Sequence, residues 1–212
     1  MSKTLSFIHR FEKGQEGVRP LLLLHGTGGD ENDLLSLSRM VAPRAAILSP
    51  RGKVLENGML RFFRRLAEGV FDEEDVRSRA NDLANFIIEA RTLYEIPAPI
   101  ALGYSNGANI AAAVMLLRPE ALAGAILLRA MLPLSKTQLV NLERKPILIV
   151  SGLRDPIIPA DKAAQLALLF RKYGATVDHR TLPTGHELSQ VDVTLAQTWW
   201  QAHGADLSDK VL

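Results

Sequence analysis

The sequence predicts an α/β domain built on a mostly parallel sheet with helices on both faces. Two observations predict it. Short continuous apolar runs alternate with longer segments of helical period from end to end. The runs are also apolar throughout rather than alternating, as strands covered on both sides must be. No internal repeat, low-complexity segment or linker interrupts the 212 residues. At roughly 100–200 residues per domain, 1–212 reads as a single domain without a separate cap domain.

Residues 4–12 read as the first strand. Pro20-Leu21-Leu22-Leu23-Leu24 is a compact apolar run ended by His25-Gly26. A helix is expected over 30–41, opened by Asp30 and carrying Leu34, Leu35, Leu37 and Met40. Residues 45–48 form a short strand stopped by Ser49-Pro50. The stretch 49–72 shows no clean period. A long helix follows over 73–94, with Val76, Leu83, Phe86, Ile87 and Tyr94 near one face. Pro97 and Pro99 then punctuate, and residues 100–102 are a strand. An almost wholly apolar helix covers 106–117, and 121–128 is strand-like despite Gly124. Pro146-Ile147-Leu148-Ile149-Val150 is the clearest buried strand. Residues 160–173 form an amphipathic helix that Gly174 terminates. Residues 176–182 alternate as a strand, and 188–202 close the chain as a helix with Leu195, Trp199 and Trp200.

Composition removes several kinds of function. There is no cysteine, which excludes disulfides, thiolate metal sites and a cysteine nucleophile. A cytoplasmic setting is expected on the same ground. Lys plus Arg number 25 against 23 Asp plus Glu, a net charge of +2, so no general polyanion surface and no nucleic-acid partner is expected. The N-terminus lacks the apolar core of a secretory signal. The uncharged stretch 96–117 is long enough to suggest a membrane helix. Pro97, Pro99, Gly103, Ser105, Asn106, Gly107 and Asn109 interrupt it, so a strand–turn–helix is the reading.

That turn holds the central motif, Gly103-Tyr104-Ser105-Asn106-Gly107, which fits G-x-S-x-G, the nucleophile elbow. A sharp turn between strand and helix presents a serine hydroxyl at the carboxyl edge of the sheet, where open α/β sheets bind ligands. A serine nucleophile needs a base, and the base an orienting acid. Two histidines lie downstream outside the tail. His179 falls within a strand. His186 sits in the loop Pro183-Thr184-Gly185-His186-Glu187 after a strand, so it is the candidate base. His9 and His203 lie near the termini and read as surface residues. Asp155, in Gly152-Leu153-Arg154-Asp155-Pro156 after the clearest strand, is the candidate acid. Asp161 reads as a helix N-cap, and Asp178 lies in a strand. Acyl transfer also needs donors for the oxyanion. The backbone N–H of Asn106 is one candidate. The other is that of Thr27, in His25-Gly26-Thr27-Gly28-Gly29-Asp30. The latter loop fits neither a P-loop nor G-x-G-x-x-G.

Residues 51–72 concentrate Arg51, Lys53, Arg61, Arg64 and Arg65, together with Phe62, Phe63 and Phe71. Aperiodic inserts of this length are often functional. One expectation is a lid whose phenylalanines line a pocket and whose arginine meets an anionic substrate group. The other is a packed connection with its aromatics in the core. Phe62, Phe63, Phe71, Arg61 and Met131 are the candidate substrate-binding residues. One of Trp199 and Trp200 is expected in the core, the other at a surface or dimer contact.

The chain resembles the serine carboxylesterases of the α/β-hydrolase fold, in the phospholipase/carboxylesterase group that includes acyl-protein thioesterases. Leu24-His25-Gly26, Gly103-Tyr104-Ser105-Asn106-Gly107, Gly152-Leu153-Arg154-Asp155-Pro156 with Pro159, and Gly185-His186 carry the resemblance. Within the group it is similar to short bacterial carboxylesterases with a dense Arg–Phe segment. The resemblance implies Ser105, His186 and Asp155 as catalytic residues and Thr27 and Asn106 as oxyanion donors. It also implies a small-molecule ester substrate, no cofactor or metal, and a homodimer. Thioesterases of the group have Gln and then Gly-Gly after the serine. This chain has Asn106-Gly107-Ala108, which argues against protein depalmitoylation. The alternatives are a lactone or thioester hydrolase with the same triad, or a non-catalytic small-molecule binding protein.

Overall fold

The computed structural model describes residues 5–67 and 69–204. Its centre is a seven-stranded sheet in the order β1-β3-β2-β8-β9-β10-β11. The strands are β1 (His9–Glu12), β2 (Leu21–Leu24), β3 (Ile47–Pro50), β8 (Ile100–Tyr104), β9 (Gly124–Leu128), β10 (Pro146–Gly152) and β11 (Thr176–Leu182). Only β1 is antiparallel, paired with β3. The others run parallel, so their carboxyl ends share one edge.

The four leucines of β2 show why its run is continuous. Side chains alternate across a strand. Leu22 and Leu24 enter the apolar cluster beneath α2 (Glu73–Tyr94), α3 (Asn106–Leu117) and α4 (Ala160–Lys172), with Phe86, Ile110 and Phe170. Leu21 and Leu23 enter the opposite cluster, under α1 (Leu35–Val41) and α5 (Gln190–His203). No described helix is long and apolar enough to cross a membrane.

Several boundaries shift for local reasons. Within the expected strand 4–12 only His9–Glu12 is a strand, and residue 4 lies outside the described residues. Asp30 does not open α1, which starts at Leu35. Its carboxylate accepts from Asn32 N at 2.8 Å and makes a turn instead. Part of the expected strand 121–128 is a 3₁₀ turn, Pro119–Ala121, before β9. Asp161 is not the cap of α4, because Pro159 holds that position and Asp161 lies in the first turn. His9, expected at the surface, is half-buried. Its Nδ1 donates to Phe7 O at 2.8 Å, and its Nε2 lies 2.7 Å from the Tyr94 hydroxyl. Both Trp199 and Trp200 are buried, so neither supplies the expected surface ring.

The aperiodic stretch 51–72 holds two small hairpins, β4 (Val54–Glu56) with β5 (Met59–Arg61), and β6 (Arg65–Ala67) with β7 (Val70–Phe71). The first turns at Asn57-Gly58, both with positive φ (52° and 77°). That is the backbone a two-residue hairpin loop demands.

Candidate active site

Six segments converge where the parallel strands end. Ser105 follows β8 at the middle of the sheet, and its backbone is held at φ 53°, ψ −112°. An L-residue pays about 1–3 kcal/mol for such a conformation. Neighbouring contacts fix it: Ser105 N donates to Leu128 O at 2.9 Å and Asn109 N to Ser105 O at 2.9 Å. The motif's glycines are required by space. A Cβ on Gly107 would stand 1.9 Å from Leu24 O, and one on Gly103 would stand 2.6 Å from Gly107 O. Strand, elbow and helix therefore touch backbone to backbone.

Asp155 follows β10 and is 8% exposed. Its Oδ1 accepts from Ile157 N at 2.8 Å and Ile158 N at 2.9 Å. Its Oδ2 lies 2.8 Å from His186 Nδ1, and His186 Nε2 lies 2.9 Å from Ser105 Oγ. A carboxylate can only accept, so Nδ1 carries the proton and Nε2 presents its lone pair to the serine. The three sequence-predicted residues thus form one hydrogen-bonded chain. The other histidine considered, His179, lies away from it, with Nε2 3.0 Å from Ser151 Oγ.

Residues 11–203 match the family described as Phospholipase/Carboxylesterase. The chain belongs to that family. It is 43% identical over 195 residues to the putative hydrolase MhqD of Bacillus subtilis (strain 168), across 91% of this chain and 97% of that protein. Among solved structures it is 44% identical to the Bacillus cereus carboxylesterase, with a TM-score of 0.91, covering 93% of this chain and 95% of that one. It is 29% identical to YahD, solved with malic acid, with a TM-score of 0.88 and coverage of 93% and 99%. The chain is accordingly a hydrolase with the α/β-hydrolase fold.

In this carboxylesterase-family chain, a cavity of about 340 Å³ opens over the serine, lined among others by Thr27, Tyr104, Ser105, Asn106 and His186. Both oxyanion candidates therefore border the space that Ser105 faces. Arg61, Phe71 and Met131 line it as well. Phe62 and Phe63 do not. They are 3% and 0% exposed and belong to the core beneath α2 and α3. Segment 51–72 is thus part packed connection and part cavity wall.

The segment also ties the two oxyanion candidates together. Arg61 Nη1 donates to Thr27 Oγ1 at 2.8 Å, and the next residue, Phe62, donates its N–H to Asn106 Oδ1 at 2.7 Å. Gly28 N donates to Leu60 O at 2.9 Å. Beneath this loop His25 is 1% exposed. Its Nδ1 donates to Gly26 O at 2.7 Å and its Nε2 accepts from Gly52 N at 2.9 Å. Only neutral imidazole can accept there. Burial lowers the His25 pKa, against the opposing pull of the Gly26 carbonyl and of Asp33, Asp30 and Glu31. With the folded pKa below the unfolded value of about 6.5, the unfolded chain binds the extra proton first. This contribution to stability is complete above about pH 6.5 and is lost as pH falls through the folded pKa. Urea titrations at stepped pH between 7 and 5 should show this loss, and His25→Gln should lack that component. Equal pH slopes for the two proteins would refute it.

The sequence reading assigned no role to Arg129, which follows β9 with φ 59° and 0% exposure. Its guanidinium grips Asp192 of α5 through Nη1–Oδ1 (2.6 Å) and Nη2–Oδ2 (3.1 Å). It also donates to Gly185 O (3.0 Å), Glu187 O (2.9 Å) and Thr184 Oγ1 (3.2 Å), on both sides of His186. Tyr104 OH donates to His186 O at 3.2 Å. The signal for Arg129 was present: a lone charge inside Ala125-Ile126-Leu127-Leu128-Arg129-Ala130-Met131 must find a buried partner.

Proposed function

We propose that this protein hydrolyses small carboxylic esters through an acyl-enzyme on Ser105. The observation that carries the reading is the continuous chain Asp155–His186–Ser105 opening on a small cavity. His186 Nε2 takes the hydroxyl proton as Oγ attacks the ester carbonyl. Asp155 stabilises the imidazolium that results. The N–H groups of Thr27 and Asn106 receive the oxyanion, and His186 returns the proton to the departing alcohol. Water activated by the same imidazole then releases the acid.

The carboxylesterase of Bacillus cereus supports the ester class, and the malic acid in the YahD structure is a carboxylic acid, the class of product released. A cavity near the lower end of ligand-pocket volumes favours short acyl groups. The reading includes action as one domain in the cytoplasm without metal or cofactor. The test is mass spectrometry after treatment with a fluorophosphonate. The adduct is expected on Ser105 in the wild type and absent from Ser105→Ala. A wild-type protein that never gains it would sink the reading.

A further inference from the structure

The cavity over Ser105 has an uneven wall. Phe71, Met131, Ile157 and Ile158 supply apolar surface, and Arg61 and Arg65 supply two permanent positive charges. Among the described residues that line it, none is an aspartate or glutamate. The carboxylate nearest these arginines, Glu56, lies outside the lining. Arg65 Nε meets Glu56 Oε1 at 2.9 Å, while Arg61 Nε is 3.4 Å from Glu56 Oε2, an oxygen that forms no hydrogen bond. Arg61 Nε instead donates to Phe63 O at 3.1 Å, so Glu56 is hydrogen-bonded by Arg65 alone and two guanidinium charges stand against one carboxylate, a surplus of positive charge at the cavity wall. Arg61 is 3% exposed, so little water screens it. Arg61 is accounted for in part by its hold on Thr27, but Arg65 makes no such contact, and a cavity for neutral alkyl esters does not need its charge in the wall.

We propose that the substrate is an ester bearing a second, ionised carboxylate, which Arg61 and Arg65 receive. This rests on the hydrolase reading and narrows it. Arg61 Nη1 sits 2.8 Å from Thr27 Oγ1, on the residue assigned to the oxyanion. The carboxylate therefore lies only a few bonds from the scissile carbonyl, which describes a half-ester of a short diacid or the acyl ester of a hydroxy acid. Guanidinium is suited to it, because its planar fork matches a carboxylate in two hydrogen bonds.

The test compares matched pairs by pH-stat titration. Monomethyl succinate against methyl pentanoate places the charge on the acyl side. O-Acetylglycolate against isobutyl acetate places it on the alcohol side. In at least one pair kcat/KM for the anion should exceed that of the neutral partner by roughly tenfold or more, the scale of a charged hydrogen bond. Added salt should narrow the ratio, and Arg65→Gln should pull it toward one. A protein that takes fluorophosphonate on Ser105 yet hydrolyses the neutral member of both pairs as fast overturns this proposal alone. One that takes no fluorophosphonate overturns the hydrolase reading and this proposal with it.

Discussion

Replacing Asp155 with asparagine is expected to lower kcat by about 10⁴-fold while the fold survives. The reason lies in how the carboxylate is shared. Oδ1 accepts two backbone N–H groups, from Ile157 and Ile158, and Oδ2 faces His186 Nδ1. An asparagine keeps its carbonyl oxygen toward the two N–H donors, because an NH₂ there would meet N–H head-on. The amide nitrogen then faces His186 and donates to Nδ1. The imidazole must carry its own proton on Nε2, and a protonated Nε2 cannot accept one from Ser105. Single-turnover kinetics with an activated ester, beside a thermal melt, would check this. A variant retaining a tenth of wild-type kcat with an unchanged melt would remove Asp155 from the mechanism.

The residues of this chain were legible because each ends a run whose pattern is plain. Ser105 closes Ile100-Ala101-Leu102-Gly103-Tyr104, Asp155 follows the apolar strand β10, and His186 follows the alternating strand β11. Parallel strands deliver such residues to one edge without further information. What stayed hidden depends on contacts between distant segments. Strands β4 to β7 are two or three residues each, too short for alternation to register. The Asn57-Gly58 pair is a local sign of the first hairpin, but it carries no periodicity. For Phe62 and Phe63 the sequence left pocket lining and core packing both open, and the chain turns there and buries both rings. Arg61 was expected among the substrate-binding residues, and it lines the cavity. Its grip on Thr27, and the Phe62 grip on Asn106, required three segments to be brought together.

Arg129→Met should cost about 3–5 kcal/mol of stability, because it strands the Asp192 carboxylate in the core. Asp192 is 1% exposed, and its Oδ2 also accepts from Ser189 N and Oγ at 2.7 Å each, capping α5. For a chain of this length a loss of that size lowers Tm by roughly 10 °C. The same variant removes the donors to Thr184, Gly185 and Glu187, so the loop carrying His186 loses its fixed place relative to Ser105 and Asp155. The two effects can be separated. Pairing Arg129→Met with Asp192→Asn removes the unpaired charge and should restore much of the melting temperature, since Asn still accepts at the helix cap. It returns no donor to the His186 loop, so kcat should stay at least about tenfold below wild type with KM little changed, the loss expected when a catalytic group drifts. Arg129→Lys should recover part of the stability but little of kcat, because an ammonium can hold Asp192 yet cannot span it and both sides of His186 at once. If the double variant regains kcat together with Tm, Arg129 serves only to fill and neutralise the core. The position of His186 then rests on its own contacts with Tyr104, Asp155 and Ser105 and on the bond from Arg154 N to Thr184 O.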